Sequence, residues 1–117
     1  MIYTEAELDK LIAEKVLKWD GDFYPNLWVD PAKQRVIHKD AFHPSRKEYL
    51  HQAFDTADEF CLNSWEWRIS RTFSGMYTVG ISQYFPSEKN FGAEDMNPAL
   101  AICLALLEAE AAEHLTN

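Results

Sequence analysis

The chain has 117 residues, 47% of them hydrophobic, and 11 Lys and Arg against 19 Asp and Glu give a formal net charge of −8. That length is one domain with enough apolar surface for its own core. This excludes a disordered chain and, with only two cysteines, a disulfide-stapled miniature. The acidic balance repels phosphates in the far field and argues against general nucleic-acid binding, though it leaves room for a local basic pocket, and the longest apolar stretch, Pro98–Leu107, is about half the ~20 residues of a membrane span.

Thr4, with Glu7 three residues on, forms a capping box. Leu8, Leu11, Ile12 and Val16 follow at helical spacing, so a first helix is expected from about Glu5 to Lys18, stopped by Asp20-Gly21-Asp22. From Phe23 to Pro44 the pattern weakens. Leu27-Trp28-Val29 and Arg35-Val36-Ile37-His38 read as short strands within an ordered, partly extended segment. Ser45 with Glu48 makes a second capping box for a second helix. Its apolar stripe is Tyr49, Leu50, Ala53, Phe54, Ala57, Phe60 and Cys61, with Asn63 capping its end.

At Trp65 the period changes to two. Trp65, Trp67, Ile69 and Phe73 point one way and Glu66, Arg68, Ser70 and Thr72 the other, and Tyr77, Val79, Ile81 and Phe85 alternate likewise. Parity sets the turn. A two-residue loop would oppose apolar to polar residues, whereas a Phe73-Ser74-Gly75 loop with left-handed Gly75 pairs Ile69 with Val79 and Trp67 with Ile81. Pro86–Met96 is polar and reads as a loop. Asn97-Pro98 caps a third helix, Ala99–Leu115, with Leu100, Cys103, Leu106 and Leu107 as its core stripe and Ala101 and Ala105 as a small neighbouring face. The expected fold is α+β, an antiparallel sheet built on the C-terminal-half hairpin and packed with three helices in a layered arrangement. The outer hairpin face is polar, and it is either open or covered by something polar.

Chemical signatures are sparse. No G-x-G-x-x-G or Walker sequence occurs, so no nucleotide cofactor is expected. His38, His43, His51 and His114 have no i, i+4 partner and the cysteines no C-x-x-C spacing, so no metal site is expected. Cys61 and Cys103 read as buried small hydrophobes. His38, Asp40 and His43 allow a small hydrolase to be drawn. A ligand site, if anionic or planar, should draw on Arg68 or Arg71 with an aromatic such as Trp28 or Tyr24, because guanidinium forks hold oxyanions and aromatic faces stack planar groups. Residues 1–11 carry Glu5, Glu7 and Asp9 and no apolar run, so no leader is expected and the setting is cytoplasmic.

Four segments in order carry a resemblance: Leu11-Ile12-Ala13-Glu14-Lys15-Val16-Leu17-Lys18-Trp19, Trp28-Val29-Asp30, Phe42-His43-Pro44-Ser45 and Ala101-Ile102-Cys103-Leu104-Ala105-Leu106-Leu107. Together they resemble the small proteins grouped as the phage ABA sandwich domain. The resemblance implies an α/β/α layered fold and a phage or prophage origin, and it transfers no catalytic residue. The expected function is that of a non-enzymatic phage accessory protein binding a host protein or small ligand, in countering host defence. A homo-oligomeric interaction module is the alternative, and a small hydrolase comes third.

Overall fold

The computed structural model describes residues 3–62, 64–85 and 87–115. The first helix begins where its capping box sets it. Thr4 Oγ1 accepts the Glu7 N–H at 3.1 Å and the Glu7 carboxylate accepts the Thr4 N–H at 3.2 Å. The helix α1 (Glu5–Leu11) then widens into a π-helical turn, Ile12–Val16, in which the Leu17 N–H reaches the Ile12 carbonyl and the Trp19 N–H the Ala13 carbonyl. Gly21 does not stop this helix. Lys18 does, in a left-handed conformation with φ 61°. The reversal carries Trp19 back into the core against Phe42, ring centroids 4.7 Å apart, and the Lys18 ammonium reaches Glu110 at 3.0 Å.

Strands β1 (Asp20–Tyr24), β2 (Leu27–Asp30) and β3 (Arg35–His38) form an antiparallel sheet in that order. The second and third were expected. The first lay hidden under Asp20-Gly21-Asp22, which looks like a turn. Gly21 serves packing instead: a Cβ there would stand 2.3 Å from Cζ3 of Trp28, so the indole lies directly on the strand.

Ser45 does not cap the second helix. A 3-10 turn, Lys47–Tyr49, intervenes, and α2 (Leu50–Phe60) follows with Tyr49 as an N-cap that makes no side-chain bond. Ser45 is fully buried and acts as a tie. Its N–H donates to Asp9 Oδ1 at 3.0 Å, its carbonyl accepts from Asn97 Nδ2 at 2.9 Å, and its hydroxyl has no partner. The expected cap at Asn63 lies outside the described residues.

The second sheet has the order β4 (Trp65–Arg71), β5 (Tyr77–Gln83), β6 (Lys89–Asp95). The hairpin register is the one parity demands, with Ile69 opposite Val79 and Trp67 opposite Ile81. Thr72 and Met76 close a three-residue loop whose Gly75 has φ 86°. The stretch read as a loop is in fact β6, fully paired with β5. Its inward side chains, Phe91 and Ala93, pack on the core, while outward Asn90, Gly92 and Glu94 gave it a polar, glycine-broken look. Gly92 stands opposite Gly80, and a Cβ on it would lie 2.9 Å from the Val79 carbonyl oxygen.

Asn97 Oδ1 accepts the Ala99 N–H at 3.0 Å and opens α3 (Pro98–Leu115). This helix lies on β5 and β6 and packs α2 and the π turn on its other side. Its buried surface is wider than the expected stripe: Ala99, Ala101, Ile102, Cys103, Ala105, Leu106 and Ala109 are all inaccessible, while Leu100 and Leu107 are half-buried. Trp65 and Trp67 join the core through Phe60 and Phe54 of α2, at 5.5 and 5.2 Å between ring centroids. The outer face of the second sheet is open, with Glu66, Arg68, Ser70, Asn90 and Glu94 exposed. The class is α+β, as expected. No helix among the described residues is long and apolar enough to cross a membrane.

Three substitutions test this packing and its caps. Leu106→Ala removes a fully buried side chain and should cost about 2–5 kcal/mol by chemical denaturation; a loss under about 0.5 kcal/mol, the size of a surface change, would mean α3 is rotated. Thr4→Ala should cost about 0.5–2 kcal/mol. Ser45→Ala should be neutral or stabilising, because it deletes a buried hydroxyl that bonds to nothing.

Candidate functional site

Two parts of the chain meet to form a cleft of about 380 Å³. One wall is α1, which presents Ala6 and Lys10 one turn apart, with Asp9 beside them. The other is the segment after β3, where a 3-10 turn, Lys39–Ala41, brings Lys39 and Asp40 to the cleft and leads on to Phe42, His43 and Arg46. Trp28 of β2 contributes to the floor.

His43 is held from every side. Its Nδ1 lies 3.5 Å from Asp9 Oδ2, its Nε2 faces the Asp40 carbonyl, and its ring meets Tyr49 edge-on at 5.2 Å between centroids. Its own N–H donates to Gln52 Oε1 at 2.7 Å, and Gln52 in turn donates to the Ala41 carbonyl. Asp9 is buried, and its second oxygen takes the Ser45 N–H. Both imidazole nitrogens therefore face oxygens of the protein itself. A general base must instead turn a nitrogen to the proton it abstracts. The His38, Asp40 and His43 constellation is not assembled as drawn from the sequence: Asp9 supplies the carboxylate, Asp40 approaches His43 through its backbone carbonyl, and His38 is exposed on β3.

Three cations line the same cleft. Lys39 donates to the Gly21 carbonyl at 2.7 Å, with its ammonium 4.9 Å from the centre of the Trp28 ring. Arg46 Nε lies 3.1 Å from Glu5 Oε2, both side chains about half exposed. Lys10 stands on the α1 wall. Against them are Asp40, Asp9, which is committed to the Ser45 amide and His43, and Glu5, which pairs with Arg46. On a chain of net charge −8, three cations thus line one cleft whose apolar lining is Ala6, Trp28 and Phe42.

The four residues named from sequence are not brought together. Trp28 belongs to this cleft, but it is only 5% exposed, lying on Gly21 with Lys39 near its ring, so it offers little face for stacking. Tyr24 packs edge-on with Phe23 at 4.7 Å and lines a separate depression with Val29 and Val36. Arg68 lies across Gly80 on the outer face of the second sheet and donates to Ser82 Oγ at 3.1 Å. Arg71 stands at the hairpin tip, its guanidinium 5.9 Å from the Tyr77 ring centre. The cations that do converge, Lys10, Lys39 and Arg46, belong to no motif in the sequence. The one signal for two of them was Lys39 and Arg46 flanking Phe42 in a segment already dense in aromatics.

The two cysteines are suppressed. Burial, with Asp58 and Glu66 nearby, pushes the Cys61 thiol up to about 11. Cys103 is fully buried on α3, and burial, with Asp9 adding to it, raises its thiol further still. Among the described residues no group of three or more His, Cys, Asp or Glu side chains could hold a metal ion. In comparisons with family models, curated proteins and solved structures, nothing matches the chain.

Thiol labelling checks this environment. At pH 8 native Cys61 should react with a disulfide reagent on the order of a hundredfold more slowly than an unperturbed thiol, because so little of it is thiolate. Cys103 should label only on unfolding. Labelling of Cys103 ahead of Cys61 would contradict the burial described.

Proposed function

We propose that this protein works by binding rather than catalysis, and that its ligand is a small anion held in the cleft between α1 and residues 39–46. The observation that carries this reading is the convergence of Lys10, Lys39 and Arg46 on one apolar-floored cleft in an otherwise acidic chain. Charge-assisted bonds from ammonium and guanidinium groups are about twice as strong as neutral ones. The bonded state of His43 supports binding over hydrolysis, because a ring fixed to Asp9 and to the Asp40 carbonyl braces the wall. The resemblance to the phage ABA sandwich domain supports a phage or prophage origin and a host-cell cytoplasmic setting. There, taking up an anionic ligand or engaging a host protein that carries one would serve counter-defence.

A second reading, association with another copy of the chain, has one observation in its favour. On the first sheet Phe23 and Val36 are 71% and 55% exposed around a shallow apolar depression. Light scattering across a concentration series separates the two readings.

The test of the anion reading is a thermal-shift screen of phosphates and carboxylates followed by calorimetry. A ligand at a hundred times its Kd raises stability by about 2.7 kcal/mol. Lys10→Met with Lys39→Met should abolish the shift, and Arg68→Ala with Arg71→Ala should leave it intact. The opposite pattern would move the site to the second sheet.

A further inference from the structure

We infer that the ligand carries a multiply charged oxyanion, and that Glu5 is its resident competitor for Arg46. This rests on the anion reading of the cleft above.

Arg46 presents a planar fork suited to two oxygens at once. In the structure a carboxylate already occupies part of it, Glu5 Oε2 at 3.1 Å from Nε. Glu5 lies one turn before Asp9 on α1, so its carboxylate stands at the rim of the wall that Asp9 and Lys10 build. The protein thus places on Arg46 the type of group a ligand would bring. With the side chains 44% and 55% exposed, the pair is well solvated and weak, a contact that can be exchanged.

What displaces Glu5 follows from the other cations. A monocarboxylate offers Arg46 only what Glu5 offers, without the advantage of being tethered. An oxyanion with several charges engages Arg46 together with Lys10 or Lys39. Lys39 is bonded to a neutral carbonyl, that of Gly21, and gains by exchanging it for a charged oxygen. Glu7, in the same turn of α1, is engaged differently: its carboxylate closes the capping box on Thr4, a place where glutamine serves as well. Glu7→Gln therefore removes the same charge from the same turn without touching Arg46.

The experiment is calorimetric titration of inorganic pyrophosphate, and separately acetate, into the wild type, Glu5→Gln and Glu7→Gln, with circular dichroism melts on each. Pyrophosphate should bind the wild type, and Glu5→Gln should tighten it about two- to fivefold, the upper figure being the ~1 kcal/mol of an exposed pair. Glu7→Gln should leave affinity unchanged, and acetate should bind the wild type far more weakly than pyrophosphate. Equal affinities in Glu5→Gln and Glu7→Gln, whether raised or not, would overturn the competitor role while leaving the anion reading in place. Acetate binding as tightly as pyrophosphate would overturn the requirement for several charges. No binding of either probe to the wild type or to Glu5→Gln would overturn both readings.

Discussion

Ala99, Ala101, Ala105 and Ala109 have no exposed surface on α3, and a methyl group is all that each puts between the helix axis and its neighbours. The second sheet can therefore lie close on one side while α2 and the π turn close in on the other. A helix surrounded in this way must have its polar groups tied. Glu110, buried at 6% exposure, takes the Lys18 ammonium, and Lys18 reaches it from a left-handed backbone that costs roughly 1–2 kcal/mol for a residue with a Cβ. At the other end Asn97 caps α3 with its oxygen and holds the Ser45 carbonyl with its amide. Ser45 in turn donates to Asp9, and Asp9 orients His43. The wall of the cleft is thus fixed through side chains and backbone that lead back to the start of α3.

This chain of ties explains which parts of the molecule were legible in the sequence. Thr4, Gly75 and the capping oxygen of Asn97 act within three or four residues of themselves, and each sits where local chemistry places it. The hairpin register followed from parity, since a slip of one residue would have turned Trp67 and Ile69 to solvent. Ser45 carried the same local signal as Thr4 but was claimed by distant partners, Asp9 and Asn97. β1 and β6 were hidden for one shared reason, a glycine where side-chain alternation would have shown. Gly21 makes room for an indole arriving from β2, and Gly92 avoids the carbonyl of Val79. Nothing local announces either neighbour.

The cleft was less legible than the fold. Lys10 and Arg46 lie far apart in the chain and meet because α1 packs beside the segment that precedes α2. The arginines that stood out in sequence, Arg68 and Arg71, did so because of their places in a clear strand pattern. The structure gives Arg68 a local task, covering Gly80 and bonding Ser82, whose hydroxyl donates onward to Asn90. A residue is easiest to notice where its surroundings are regular, and here the cation-rich cleft formed where they are not.

The two sheets share no hydrogen-bonded strand, and most of β1 and β3 is exposed. The first sheet is joined to the rest through a few side chains, notably Trp28 in the core and the Lys33–Glu59 ion pair to α2. Segments with so little buried apolar contact occupy the low end of a protein's range of local opening free energies. Amide hydrogens of β1–β3 should therefore exchange with solvent through a partial opening, while those of β5 and α3 await global unfolding. Trp28 and Gly21, the carbonyl partner of Lys39, belong to the unit that opens, whereas Asp9 and Lys10 belong to the helical body. Each such opening takes away the floor of the cleft and leaves its helical wall standing.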